Sequence, residues 1–332
     1  MAPRLSFSQY FLIVLTVVVA VCVNQRPPEL SSKLKEWRKS GRYFNYRGNA
    51  VFYRDDQGSS KHQDSVVLCI HGFPTSSIDW SKIWPKLKEK FGRVIAVDML
   101  GLGFSDKPTE HAYTVMDQAD LLEDLLDHLS VRNVHILTHD LGDTVAQEML
   151  ARYEDRMDDK EEDGVLGIVT LCLSNGGIFP ETNYPRLTQK LLVLPWFGPF
   201  LARFMNYYLF SRSFSSIFDV ATQPTTEELQ DFWAVVAHKE GHLVVAKILD
   251  YMEQRRKNRE RWVKVLNTTS VPVHLIYGSS DPVNPPQMLQ RYREIVPRGT
   301  FTRHQGVGHY PHWEDPVGFA NSYLDFVSLY KA

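Results

Sequence analysis

The chain has 332 residues, 43% of them hydrophobic and 23% charged, a composition that suits a globular protein with a substantial core. Its formal net charge of -2 argues against nucleic acid as a partner. Three cysteines, Cys22, Cys69 and Cys172, are too few and too scattered for a disulfide framework, and no cysteine–histidine spacing marks a zinc site, so neither metal nor organic cofactor is expected.

The leader from Leu5 to Val23 is almost wholly apolar. A membrane-spanning helix needs about 20 such residues, so the length is borderline. An uncleaved anchor over residues 1–28 is the favoured reading, with Pro27 and Pro28 ending the helix. A cleaved signal peptide is the rival, with Ala20 and Cys22 as small residues near a cut. Arg26, Lys33, Lys35, Arg38, Lys39 and Arg42 after the span, against Arg4 before it, favour a cytoplasmic body. The sequon Asn267-Thr268-Thr269 favours the lumen, and the membrane side stays open.

Beyond the leader, Lys33 to Lys39 reads as a short charged helix. Tyr43–Tyr46 and Ala50–Tyr53 around Gly48 predict a hairpin. Five apolar runs follow: Val66–Ile70, Val94–Val97, Val134–Leu137, Gly167–Ser174 and Val273–Tyr277. Short and apolar on both faces, they predict strands of a buried parallel sheet. Helical stretches such as Met116–His128 and Thr144–Tyr153 lie between them. The expected fold is therefore α/β, a mostly parallel sheet flanked by helices, built from residues 29–176 and 270–332. The acidic tract Glu154–Asp163 reads as a solvated loop.

Residues 177–269 are too long for a structureless loop and are rich in aromatic side chains, Trp196, Phe200, Phe214 and Trp233 among them. They predict a helical lid over a pocket. Within it, Leu191 to Phe218 reads either as ordinary lid core or as a lipid-facing surface.

Four motifs follow the predicted strands. His71-Gly72-Phe73-Pro74 comes after the first, where glycine lets the backbone turn sharply and aim an amide into a cavity. The loop from Asp98 to Pro108, with Gly101, Gly103 and Ser105, follows the second. No lysine–serine/threonine pair trails its glycines, so it is no phosphate cradle. Thr138-His139-Asp140-Leu141-Gly142 joins the third strand to a helix. Small residues around an apical side chain mark the strained turn that exposes a nucleophile, here a carboxylate at a helix N-terminus that favours its charge. A plain helix cap is the competing reading of Asp140. Gly278-Ser-Ser-Asp281-Pro282-Val283 follows the last strand, and Gly306-Val-Gly308-His309-Tyr310-Pro311 precedes a closing helix from about Pro316.

Together these motifs resemble the α/β-hydrolase superfamily, on the epoxide hydrolase and haloalkane dehalogenase branch, over nearly the whole chain after residue 40. The resemblance implies Asp140 as nucleophile, Asp281 as the acid orienting His309, and His309 as base. It also implies an oxyanion hole from the amides of Phe73 and Leu141. His71, His139, Tyr207, Tyr208 and Tyr251 are the candidate substrate-binding residues, with packing the favoured reading of any one tyrosine.

A carboxylate attacking an ester would give an anhydride, a poor intermediate. Attack on a saturated carbon gives an alkyl-enzyme ester that water can open. Leu141 and Phe73 stand where dehalogenases carry tryptophan and asparagine donors for the halide, and no arginine follows Asp140 as in fluoroacetate-type enzymes. The expectation is an epoxide-hydrolase-like enzyme of the endoplasmic-reticulum membrane, acting on a hydrophobic, lipid-derived substrate. A lipase- or acyltransferase-like enzyme and a tethered lipid-binding protein without turnover are the alternatives.

Overall fold

The computed structural model describes residues 6–23, 28–60, 64–159 and 166–330, with the backbone alone for 18–23. Arg4, Arg26, Pro27, the Cys22 side chain and the end of the acidic tract lie outside the described residues.

Eight strands form one sheet in the order β1-β2-β4-β3-β5-β6-β7-β8. β1 (Arg42–Tyr46) and β2 (Asn49–Gln57) are the predicted hairpin, turning through Arg47 and Gly48 at positive φ. β2 also pairs antiparallel with β4 (Arg93–Val97). The remaining pairs, among β4, β3 (Val66–Ile70), β5 (Asn133–Thr138), β6 (Gly167–Ser174), β7 (Val273–Gly278) and β8 (Thr300–His304), are parallel. Every residue of β3 and β7 is buried, as strands covered by helices on both faces must be. β8 is absent from the sequence reading. It is an edge strand, Thr300 and Phe301 are exposed, and its residues show no apolar run.

Alternate strand residues point to opposite layers. Leu68, Ile70, Val97 and Ile136 pack with Leu121, Leu125, Val145 and Met149 of the Val115–His128 and Leu141–Asp158 helices. Val67, Cys69, Val94 and Cys172 pack with Ile78, Trp80, Trp84, Phe319 and Tyr323 on the other side. Cys69 and Cys172 are free and buried, small hydrophobes as expected.

The leader forms a helix, Phe7–Val23, of 17 residues, and its described side chains are all exposed. Among the described residues no helix is long and apolar enough to cross a membrane, and residues 1–5 and 24–27 of the expected anchor lie outside the described residues.

Between β6 and β7 the chain runs through a series of short helices from Leu187 to Thr268. They hold a third apolar cluster in which Phe210, Phe214, Phe232 and Trp233 pack with Tyr310 and Trp313 from the core. Trp196, 92% exposed, and Phe200 and Tyr208 stand on the outer surface. Asn267 of the sequon is exposed, whereas Thr269 is buried and bonded to Glu154.

Candidate active site

Parallel strands end together, so the loops that leave their C-terminal edge converge on one spot. Asp140 leaves β5 at φ 48° and ψ −106°, a conformation that costs an L-residue energy and turns its side chain out of the sheet. The turn is tight because Gly142 sits against the preceding loop: a Cβ there would come within 2.4 Å of the Ile70 carbonyl. Asp140 occupies the helix N-cap position but makes no side-chain capping bond, so the cap reading fails. Its Oδ2 instead accepts the Phe73 N–H at 3.1 Å, and the Leu141 amide also faces the carboxylate.

His309 and Asp281 arrive from the loops after β8 and β7. His309 Nε2 stands 4.0 Å from Asp140 Oδ1, and His309 Nδ1 is 2.8 Å from Asp281 Oδ2. All three side chains are at least 95% buried. The Val283 N–H donates to Asp281 Oδ1 at 2.7 Å, and the Asn175 and Asn284 amides donate to Oδ2 at 2.8 and 3.3 Å. Glu314 holds the histidine loop by accepting the N–H groups of Gly308 and Tyr310 at 2.9 and 3.0 Å.

Electrostatics follow from this enclosure. Burial raises the Asp140 carboxyl above its usual range, opposed by the charges of His309 and Arg255 and by the amides of Phe73 and Leu141. Burial would lower the His309 imidazole, but Asp281, Asp140 and Glu314 outweigh it and lift it to about 9.

A cavity of about 530 Å³ opens in front of the carboxylate. Phe73, Asp140 and His309 form its floor, and Leu191, Leu201, Met205 and Phe214 are among the apolar side chains of its inserted wall. Arg186 and Arg212 also line it.

The structure brings Asp140, His309, Asp281 and the amides of Phe73 and Leu141 together. None of the five expected substrate contacts is among the residues that line the cavity. His71 Nε2 accepts the Met99 N–H at 3.0 Å while Nδ1 lies 2.8 Å from the Gly72 carbonyl, so both ring nitrogens are spent on the backbone. His139 Nε2 donates to the His309 carbonyl at 2.8 Å and braces that loop from below. Tyr207 donates to the Thr226 carbonyl at 3.4 Å, and Tyr208 is exposed on the outer surface. Of the three tyrosines only Tyr251 is buried near the carboxylate, its ring 6.2 Å from that of Phe73.

Asn175, Asn284, Glu314 and Arg255 escaped the sequence reading. Asn175 and Asn284 lie beside the motifs, in Asn175-Gly176-Gly177 and Asp281-Pro282-Val283-Asn284, and were within reach of it. Behind the site, the buried side chains Asp79, His139 and His312 bring donor atoms within 4.8 Å of one another. That spread exceeds the edge of about 3.4 Å that tetrahedral bonds of 2.0–2.1 Å require. Burial holds Asp79 well above, and His139 well below, their usual ranges, which favours the neutral form of each.

A family model described as the alpha/beta hydrolase fold matches residues 65–316. The mesoderm-specific transcript protein of Mus musculus is 47% identical over 94% of this chain and 93% of its own length. Among solved structures, the haloalkane dehalogenase DbeA of Bradyrhizobium elkani superposes with a TM-score of 0.72 at 21% identity, over 87% of this chain and 97% of that one. The epoxide hydrolase CorEH does so with a TM-score of 0.69 at 18% identity, over 87% and 98%. At those identities the likeness is one of fold. With its sheet order, its strand-end site and these matches, the chain belongs to the α/β-hydrolase fold family and is a hydrolase of that family.

Proposed function

We propose that the protein hydrolyses a hydrophobic, lipid-derived epoxide through an alkyl-enzyme ester on Asp140. The observation that carries this reading is a carboxylate at the apex of the strained turn, facing two amides, with an imidazole 4.0 Å away. Asp140 Oδ1 attacks a ring carbon and the carbon–oxygen bond breaks. The electron pair goes to the ring oxygen, which takes its proton from a donor on the far side. Tyr251 is the lid tyrosine suited to that task, since it is buried beside Phe73.

The ester has no charge, so the Asp140 contribution that held the His309 proton is lost. His309 then gives up that proton, which passes through solvent to the Tyr251 phenolate, and the neutral imidazole can take one from a water molecule. The resulting hydroxide attacks the ester carbonyl, and the amides of Phe73 and Leu141 stabilise the oxyanion. Collapse expels the alkoxide, which takes the proton held by His309. The Asp140 carboxyl left behind then gives its own proton to the imidazole, which restores the carboxylate and the protonated His309. The net reaction adds one water to the epoxide.

The apolar wall and the guanidinium groups of Arg186 and Arg212 support a substrate with a long apolar chain and a polar end. The exposed side chains from Phe7 to Val17, with Trp196 and Phe200, support docking at a membrane surface.

The test is single turnover of methyl epoxystearate in ¹⁸O-water. Label should enter the Asp140 carboxylate, read by mass spectrometry of its peptide, while the first diol remains unlabelled. Asp140→Asn should form no adduct. Label appearing directly in the first diol, with none on Asp140, would sink the covalent route.

A further inference from the structure

Arg255 belongs to the inserted Tyr251–Lys257 helix and is 2% exposed. Its Nε and Nη2 both donate to the Thr144 hydroxyl, at 3.0 and 2.7 Å. The guanidinium lies 4.9 Å from the Tyr251 ring centroid. Its Nη1 packs on Gly177, where a Cβ would come within 1.9 Å of it. Thr144, Tyr251 and Gly177 are all uncharged.

An arginine stays protonated under any physiological condition, and a buried charge needs an opposite charge nearby. Thr144 lies one helical turn beyond Asp140, so its bond to Arg255 brings the guanidinium within electrostatic reach of that carboxylate, although the two make no direct ion pair. The nearby Asp143 is otherwise engaged: its carboxylate accepts Thr138 Oγ1 at 2.5 Å, the Ser174 N–H at 3.1 Å and the Gly176 N–H at 2.9 Å.

We propose that Arg255 is a positioning residue for the displacement step: a buried cation, supplied by the insertion, that is the counter-charge of Asp140 and keeps it anionic until it attacks. The kinetic part rests on the covalent reading above; the pairing itself does not. The fold gains a link between its two parts, because the nucleophile comes from the core and half of its charge balance from the inserted helices. Gly177 is explained as well, since any side chain there would displace the guanidinium.

Other groups bear on the same carboxylate. His309 faces it from the loop after β8, Asp79 from the loop after β3, Asp143 from its own helix, Tyr251 from the insertion and Tyr310 from beside His309. Burial opposes the ionised form of Asp140, and His309 and Arg255 favour it.

A double-mutant cycle on the full-length chain separates the pairing from the chemistry. Asp140→Asn and Arg255→Met should each lower the melting temperature. The double variant should melt about 3 °C or more above the sum of the two losses, because both buried charges are then gone. Additive losses, or coupling of Arg255 to Asp143→Asn in place of Asp140→Asn, would overturn the pairing. If Arg255→Met does not fold, Arg255→Gln carries the same cycle.

With methyl epoxystearate, Arg255→Met should slow adduct formation about 10²-fold at pH 7 and move the acid limb of that rate to higher pH. Arg255→Lys should restore most of both. An unmoved acid limb and an unchanged adduct rate would overturn the positioning role. Absence of any adduct in the wild type would overturn the reaction, and the melting cycle would still decide the pairing.

Discussion

The two walls of the cavity are held by different forces. On the core wall, Asp140, Asp281 and His309 sit on strand-end loops, and the oxygens of both carboxylates have partners within the protein. On the inserted wall the apolar part of the lining, leucine, methionine and phenylalanine among it, is held by contact, beside a few hydrogen-bonded groups such as Thr188 and Ser213. Hydrogen bonds fix position to fractions of an ångström, whereas apolar packing tolerates exchange of shape. Chemistry is therefore expected to reside in the core wall, and the choice of substrate in the inserted one.

The comparison breaks most decisively at Asp140. Asp140→Asn should cost on the order of 10⁴-fold in turnover, since an amide is a poor nucleophile, with the fold intact by circular dichroism. His309→Gln should cost about 10²–10⁴-fold and do so differently, by trapping the alkyl-enzyme as a mass increase on the Asp140 peptide. A variant that loses turnover without accumulating that adduct would place His309 before the ester and not after it.

Gly142→Ala tests the backbone of the core wall. Its Cβ would meet the carbonyls of Ile70 and His71 at 2.4 and 2.9 Å, neither of which can move without disturbing the sheet. A loss of about 1–3 kcal/mol in chemical denaturation is expected. On the inserted wall, Leu209→Ala removes a half-exposed side chain that lines the cavity, and KM should rise roughly tenfold with kcat nearly unchanged. An equal fall in kcat would mean that the inserted wall also shapes the transition state.

The smallest effect is linked to protons. His309 is held at about 9 in the folded chain against an ordinary value of 6.5, so its contribution to stability is full below about 6.5 and fades as pH rises through 9. Asp140→Asn removes one of the charges responsible, and the melting temperature should then fall less steeply over that interval. Titration of the His309 ring by NMR in both proteins checks the shift directly.

Much of the fold was legible because a buried parallel strand has to be apolar on both faces. Val66–Ile70 and Gly167–Ser174 coincide with β3 and β6 for that reason. Thr300–His304 was not legible, because an edge strand with exposed residues carries no such pattern. The meeting of Asp140, Asp281 and His309 could be read since each follows a strand within a short glycine-bearing motif, and a turn that tight admits few residue types. His71 and His139 misled, because a histidine beside a catalytic motif looks the same whether its nitrogens face substrate or backbone.

Residue order alone determined the α/β architecture, the aspartate at the apex of the turn, and the sequence in which acid and base follow it. These depend on neighbours within a few positions, where backbone sterics and strand periodicity dominate. Tertiary structure alone decided which tyrosine is buried near the carboxylate, that Asn175 holds Asp281, and that Arg255 is buried against Thr144. Those contacts join residues about a hundred positions apart, and their energies come from burial, a property no local stretch of chain possesses by itself.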